Sequence, residues 1–464
     1  MVMKRLLCLL MFFCVGLGCV MELSAQGWMQ WRGPAMNGST TTTNLTVEWS
    51  EQTNIVWGIT MPGKSGSTPI VFNTNIFAVS QGSYGRLLLL NLAMKNGTVL
   101  WEKEIGRLEN WEGNSFFEKG FYSQCSPITN AKNIWALFGS GDIAAYNFAG
   151  NELWKRNLVR EHGYSENRFL NASTPVFFEG KLYIPVGSPN MASESEAEKE
   201  GVMEKPVILC LDAASGKTLW TREWLAQAND KFKAGPLSAI LYEGEGKGKS
   251  QLIVSGANGV AGYSLGEGEE LWHYLSKGET PLGQGNILPP PVPAPDMGLL
   301  LVSFLSDNSL IAINMNSATG LIREEDLAWK SHVESGAIST GSTLYYNNRL
   351  YTLEGENPCS MVCRDAGSGK KLWEGALSVK ETFSCSPAGA DDKIYCLSDE
   401  GTVVIIGAGE REQYEEIAVI KMGGSAFNSG IAISNQRLFI RTREKLYCVK
   451  KRQWIRFMDN EFLD

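Results

Sequence analysis

The chain has 464 residues, 44% of them hydrophobic and 20% charged, which is enough apolar material for a large core and excludes a disordered polymer. A formal net charge of −8 makes it a poor non-specific binder of nucleic acid or anionic lipid. The three histidines, His162, His273 and His332, are too scattered for a local metal-ligand pair, and no CxxCH haem attachment is present.

Residues 1–25 read as an export signal: Lys4 and Arg5, an apolar core from Leu6 to Val20, then Leu23-Ser24-Ala25 as a small-residue cleavage site. The apolar core, about 15 residues, is short for a membrane span. Cys19 follows Gly16-Leu17-Gly18, a poor fit to a lipoprotein signal, so soluble export leads and a lipid or uncleaved anchor is the alternative. Cleavage would remove Lys4, Arg5 and Glu22, taking the charge from −8 to −9. It would also leave seven of the ten cysteines: Cys125, Cys210, Cys359, Cys363, Cys385, Cys396 and Cys448. An odd number at irregular spacing is no disulfide framework, although pairing of Cys359 with Cys363 stays open.

From residue 67 onward the chain repeats. Small-small-Pro starts an apolar strand, a polar turn leads to a second strand ending in an aromatic residue, and a Trp-ended hairpin follows. The strand pairs begin at Ser67, Cys125, Ser173, Cys385 and Asn428, and less regularly near 234, 288 and 338. The hairpins include LLLNLAMKNGTVLW, AAYNFAGNELW, VILCLDAASGKTLW, VAGYSLGEGEELW and MVCRDAGSGKKLW, ending at Trp101, Trp154, Trp220, Trp272 and Trp373. A degenerate copy with a longer turn ends at Trp329, and a seventh unit around Gly401–Ile420 lacks the Trp. The proline-rich residues 289–295 occupy an inner-strand position and predict an irregular blade.

Four antiparallel strands per unit, repeated around an axis, make an all-β propeller. The eighth unit ends at Lys445–Arg452 without an outer strand, and NIVWGIT, residues 54–60, supplies one. Trp57 precedes Trp101 by 44 residues, the interval from Trp329 to Trp373. Eight blades closed by this N-terminal strand within one domain, 26–464, are expected, with seven the fallback; closure removes open edges.

Each docking Trp buries a large area between blades, and its N–H needs an acceptor. Gly97, Gly150, Gly216, Gly268 and Gly369 supply tight turns with positive φ. A small residue ten positions before the Trp (Cys210, Gly262, Cys363, with Ala144 and Cys448 by position) is expected to leave room for an indole of an adjoining blade. The cysteines there read as packing residues.

Function is sought on the long inter-blade loops. Residues 107–124 carry Trp111, Asn114, Phe116, Phe117 and Tyr122, and residues 160–171 carry His162, Tyr164, Glu166, Arg168 and Asn171. On neighbouring blades these loops should approach each other, where they would bind a polar ligand or a partner's strand, or where the aromatics pack the loops down. His332 and Glu334 are expected to enter a later blade on the same face, with His332 a remote candidate general base. The charged insertion 191–205 reads as a surface loop, and the C-terminal cluster Arg437, Arg441, Arg443, Lys445, Lys450, Lys451 and Arg452 as a solvated edge.

The hairpin LDAASGKTLW resembles the docking motif of the pyrroloquinoline-quinone (PQQ) repeat propellers, which include quinoprotein alcohol dehydrogenases and the assembly lipoprotein BamB. GWMQWRGPAMNGS, residues 27–39, resembles the start of exported members. The enzymes in that family imply a Ca²⁺ bound by carboxylate and amide oxygens, a catalytic Asp and a disulfide between adjacent cysteines. This sequence has no Cys-Cys pair and no motif for the metal ligands or the Asp. The expectation is an exported, periplasmic or secreted monomer acting as a non-enzymatic binding or assembly scaffold. Its partner would be a cell-envelope protein or a small polar ligand, without nucleic acid or cofactor, touching the membrane only if lipid-anchored. The alternatives are a divergent PQQ/Ca quinoprotein oxidoreductase and a glycan- or peptide-binding propeller.

Overall fold

The computed structural model describes residues 27–162, 174–187, 205–225, 237–246, 249–256, 259–276, 289–305, 307–334, 338–339, 341, 343–355 and 358–451. Residues 1–26, the charged insertion (apart from Lys205) and most of the second candidate loop lie outside these residues.

The described strands form eight antiparallel sheets. Blades 1 to 7 span 70–107, 128–157, 176–223, 238–275, 292–332, 344–376 and 388–421. Blade 8 takes its three inner strands from 431–450, and Ile55–Thr60 pairs antiparallel with Lys445–Lys450 as its outer strand. The propeller is therefore eight-bladed and closed by the N-terminal strand.

Position in the blade accounts for the sequence pattern. Val207–Asp212, a third strand packed on both faces, is buried along its middle, whereas the outer strand Thr218–Glu223 buries Trp220 alone. In four blades the hairpin joining the first two strands turns through two consecutive positive-φ residues, as at Asn347-Asn348 and Asp391-Asp392, which matches the strand twist. The small-small-Pro motifs also link blades. The Thr68 N–H donates to Ser126 Oγ at 3.1 Å, and the Ser126 N–H to Thr174 Oγ1 at 3.0 Å. A hydroxyl from each of these motifs satisfies a backbone donor of the preceding blade.

The tryptophans lock neighbouring blades. The indole N–H of Trp57, Trp101, Trp154, Trp220 and Trp329 donates to Met94 O, Phe148 O, Ala213 O, Gly266 O and Ala366 O of the next blade at 2.9–3.0 Å. Their rings lie on Gly97, Gly150, Gly216, Gly268 and Gly369, all at φ between 70° and 83°. Two tryptophans depart from this scheme. Trp272 donates inward to Gln251 Oε1 at 2.7 Å and makes no bond to a turn of blade 5. Instead Gly320–Ile322, part of the longer turn before Trp329, pairs in parallel with the outer strand of blade 4 as a fifth strand. Trp373 packs between Tyr351 and Tyr414, and its N–H finds no acceptor in a blade 7 that lacks the motif.

Two expectations are corrected. The small residues face the tryptophan of their own blade: Cys210 pairs across strands with Trp220, Gly262 with Trp272, Cys363 with Trp373 and Cys448 with Trp57. In blade 2 the position belongs to Ala145, opposite Trp154, because the turn of that hairpin is one residue shorter than the turn between Cys210 and Trp220. The C-terminal basic cluster is also no simple solvated edge. Arg441 is 1% exposed, its Nη2 donating to Gly63 O and Arg443 O, while Arg443 covers the Phe427 ring. The seven cysteines among the described residues are free and buried, Cys359 and Cys363 included, and burial pushes Cys125 and Cys363 up to about 12.

Residues 27–40 cross the central channel. The Trp28 carbonyl accepts from Val71 N in blade 1 and Met29 O from Thr129 N in blade 2. Asn37 O accepts from Tyr345 N in blade 6, and Gly38 and Thr40 exchange bonds with Gly389 in blade 7. From there the chain runs outward past blade 7, where Asp391 Oδ2 accepts from Leu45 N, to the closing strand.

Candidate functional site

The loop from blade 1 to blade 2 is built around one glutamine. Gln81, buried at the end of the second strand of blade 1, donates to Phe117 O at 2.6 Å and accepts from Tyr122 N at 2.9 Å. Asn114 caps the short helix Ser115–Glu118 by accepting from the Phe116 and Phe117 amides. Trp111 makes edge contacts with Tyr84 and Phe117, its ring resting on Gly85. Phe116 meets Phe121, which meets Phe427 from the loop between blades 7 and 8. Most of these aromatics hold the loop down, leaving Tyr84 and Phe116 the exposed rings.

Between this loop and blade 2 lies a polar cleft of about 210 Å³, lined by Arg107, Asn110, Asn114 and Tyr122 on one side and Asp142, Asn157 and Arg160 on the other. Ser140 Oγ donates to Asp142 at 2.6 Å and Asn157 Nδ2 at 3.0 Å, and Gly106 clears the space for that carboxylate. Asn157 Oδ1 accepts from Arg160 N at the start of the helix Leu158–His162. Arg107 pairs with Glu104 at 2.9 Å, a contact that draws the Glu104 pKa down.

The cleft brings together Asn114 and Tyr122 from the candidate set, with Trp111 in the same loop. His162 ends the adjacent helix, half-buried, its pKa lowered by desolvation and then by Arg156. Glu166, Arg168 and Asn171 fall outside the described residues. His332 ends the outer strand of blade 5 and Glu334 follows it, both exposed and on a blade remote from the cleft. Sequence reasoning missed Arg107, Asp142 and Asn157, which sit at strand ends and carry no motif. A wider hollow of about 680 Å³ on the opposite face involves Asp296, Tyr345 and Asp392, whose side chains already bond one another or Asn347 and Asn348.

Among the described residues no group of three or more His, Cys, Asp or Glu side chains converges to hold a metal ion. The cleft is lined by two carboxylates, Glu109 and Asp142, and Asp142 is already taken by Ser140 and Asn157. These residues do not fit a calcium-bound quinone, which needs several oxygen donors around the metal.

A family model described as outer membrane protein assembly factor BamB matches residues 37–202. The polyvinylalcohol dehydrogenase of Pseudomonas sp. is 24% identical over 170 residues, covering 36% of this chain and 24% of that protein. BamB of Shewanella oneidensis is 23% identical over 206 residues, covering 42% of this chain and 47% of that protein. The chain thus spans about a quarter and about half of the length of these curated relatives. A europium-containing methanol dehydrogenase superposes with a TM-score of 0.61 at 11% identity, covering 91% of this chain and 89% of that one, a likeness of fold. With its Trp–Gly docking between blades and its partial matches to BamB and polyvinylalcohol dehydrogenase, the chain is an eight-bladed β-propeller similar to the PQQ-like repeat proteins.

Proposed function

We propose that the protein is an exported propeller whose loop face binds a cell-envelope protein or a small polar ligand, without chemistry of its own. The cleft between blades 1 and 2 carries this reading: it presents guanidinium, amide, phenol and carboxylate groups on a pinned loop, suited to hydrogen-bonded recognition. Of its two carboxylates, Glu109 and Asp142, Asp142 is held by Ser140 and Asn157, and among the described residues no histidine lines the cleft to act as a general base on the Ser140 hydroxyl. The match to BamB supports a protein partner in the envelope, and the signal-like residues 1–25 support export to the periplasm or beyond.

The experiment is co-purification of the exported protein with envelope proteins, comparing wild type with an Arg107→Ala, Asn157→Ala double variant. The reading expects a defined partner that the double variant loses. Equal capture by both would remove the cleft from the account.

The similarity to polyvinylalcohol dehydrogenase favours a second reading, a divergent quinoprotein oxidoreductase. Titration with PQQ and Ca²⁺ and an alcohol-dependent dye-reduction assay separate the two. Stoichiometric binding with turnover would replace the scaffold reading, and a flat titration would remove the enzyme.

A further inference from the structure

The loop face carries a second cleft, of about 460 Å³, at the junction of blades 7 and 8. It takes the place there that the first cleft takes between blades 1 and 2, bounded by the loop leaving one blade and the turn between the second and third strands of the next. Gly423 and Gly424 line it from the loop, Arg443, Glu444 and Lys445 from the turn, and Lys64 from the stretch after the closing strand.

Three cations and one carboxylate, Glu444, thus line this cleft. Among the described residues neither Lys64 nor Lys445 makes an ion pair. The charge of Asp399 acts on Arg443, but that carboxylate is already bonded by the Ser384 amide and hydroxyl. Arg441 adds a fourth cation, donating to the carbonyls of Gly63, next to Lys64, and of Arg443. Gly423 and Gly424 are exposed, and a Cβ at Gly423 would meet nothing within 4 Å, so the backbone of a ligand can come close.

The cleft adjoins the aromatic loop. A Cβ added at Gly120 would stand 3.3 Å from the Lys64 Cβ. Arg443 lies over Phe427, and ring contacts lead from Phe427 through Phe121 to Phe116, which is 46% exposed. The chain as a whole is acidic, at −8, so an extended polyanion such as nucleic acid or an anionic bilayer is repelled by the rest of the molecule. A short acidic segment meets only the local positive charge.

We propose that this second cleft binds an acidic peptide segment of the partner protein. Carboxylates of that segment pair with Lys64 and Lys445 in the field of Arg441 and Arg443, and an apolar residue beside them covers Phe116. The assignment rests on the reading of the loop face as a binding surface and names the chemistry of its partner.

The probe is a dye-labelled peptide of glutamates with one phenylalanine, compared with its glutamine counterpart by fluorescence anisotropy on the purified protein at low salt. Saturable binding of the glutamate probe, about tenfold tighter than the glutamine probe and weakened by added salt, is expected. The Lys64→Gln, Lys445→Gln double variant should bind it about tenfold more weakly at an unchanged Tm, and Phe116→Ala should also weaken it. Equal affinity for the two wild-type probes would overturn the proposal whether or not the variants fold, as would a double variant that binds like wild type. Equally tight binding to phosphatidylserine vesicles would overturn it in favour of a lipid surface. In the co-purification, a partner kept by the lysine variant and lost by the Arg107→Ala, Asn157→Ala variant overturns this assignment alone. Probe binding with no captured partner supports the acidic-peptide site and removes the envelope partner.

Discussion

Trp154 and Gly216 belong to adjacent blades and leave no space between them: a Cβ added to Gly216 would stand 2.6 Å from the Trp154 indole. The same indole donates to Ala213 O, which also accepts from Trp135 at 3.0 Å, so two tryptophans of blade 2 converge on one turn of blade 3. Gly216 is held at φ 72° and Gly180, with nothing within 4 Å of its Cβ site, at φ 80°. Gly180→Ala should cost only the left-handed backbone strain, about 1–2 kcal/mol. Gly216→Ala adds the clash with the ring, about 1–3 kcal/mol more. Denaturant unfolding of the two variants measures the difference, and equal losses would mean that the Trp–Gly contact is not a tight joint.

Trp57 tests ring closure. It lies in the N-terminal strand of blade 8, donates to Met94 O and docks on Gly97 of blade 1. Trp57→Ala should cost about 3–5 kcal/mol and expose the strand to protease. Limited proteolysis should then cut within Ile55–Thr60 well before any other blade.

The thiols should be silent in the folded protein. All seven described cysteines are buried, and desolvation raises Cys210 to about 11 and Cys448 to about 12. A chromogenic disulfide reagent at about pH 8 should label none in the native state and all seven after denaturation of the same chain. Rapid native labelling of any of them would contradict this packing.

Desolvation lowers the His162 pKa, so the unfolded chain holds the proton more tightly than the folded one. Stability from this group is fully present above the unfolded value of about 6.5 and is lost as pH falls below it. The drop in Tm from about pH 8 to about pH 5 should therefore shrink in His162→Gln. An unchanged drop would show that the imidazole titrates freely.

Trp111 pins its loop without belonging to a blade. Trp111→Ala should speed cleavage within residues 107–124 while lowering global stability by less than about 2 kcal/mol. A global loss as large as that of Trp57→Ala would make the loop part of the core.

The repeat was readable because its residues face the same local problem in each blade. An outer strand must bury one side chain, and a turn must admit it, so Trp101, Trp154 and Trp220 recur with Gly97, Gly150 and Gly216. The small residues face the tryptophan of their own blade because they lie directly across the hairpin from it, and Ala145 takes the place expected of Ala144 because the blade 2 turn is one residue shorter. The cleft was half readable. The loop aromatics were conspicuous, but Asp142 and Asn157 come together through the placement of two strand ends that no spacing encodes.

By itself, the sequence determined the class of fold, the number of blades and the strand that closes them, since period, turn chemistry and apolar alternation are local. Only the tertiary structure decided where the exceptions fall. Trp272 turns inward where its neighbour lends it a strand, and Arg441 is buried although its segment reads as a charged edge. Arg32 is buried among the carbonyls of Asn37, Thr343 and Pro387 because distant blades surround it. Burial and charge compensation depend on what other parts of the chain bring to a residue, and that becomes visible only when the ring is closed.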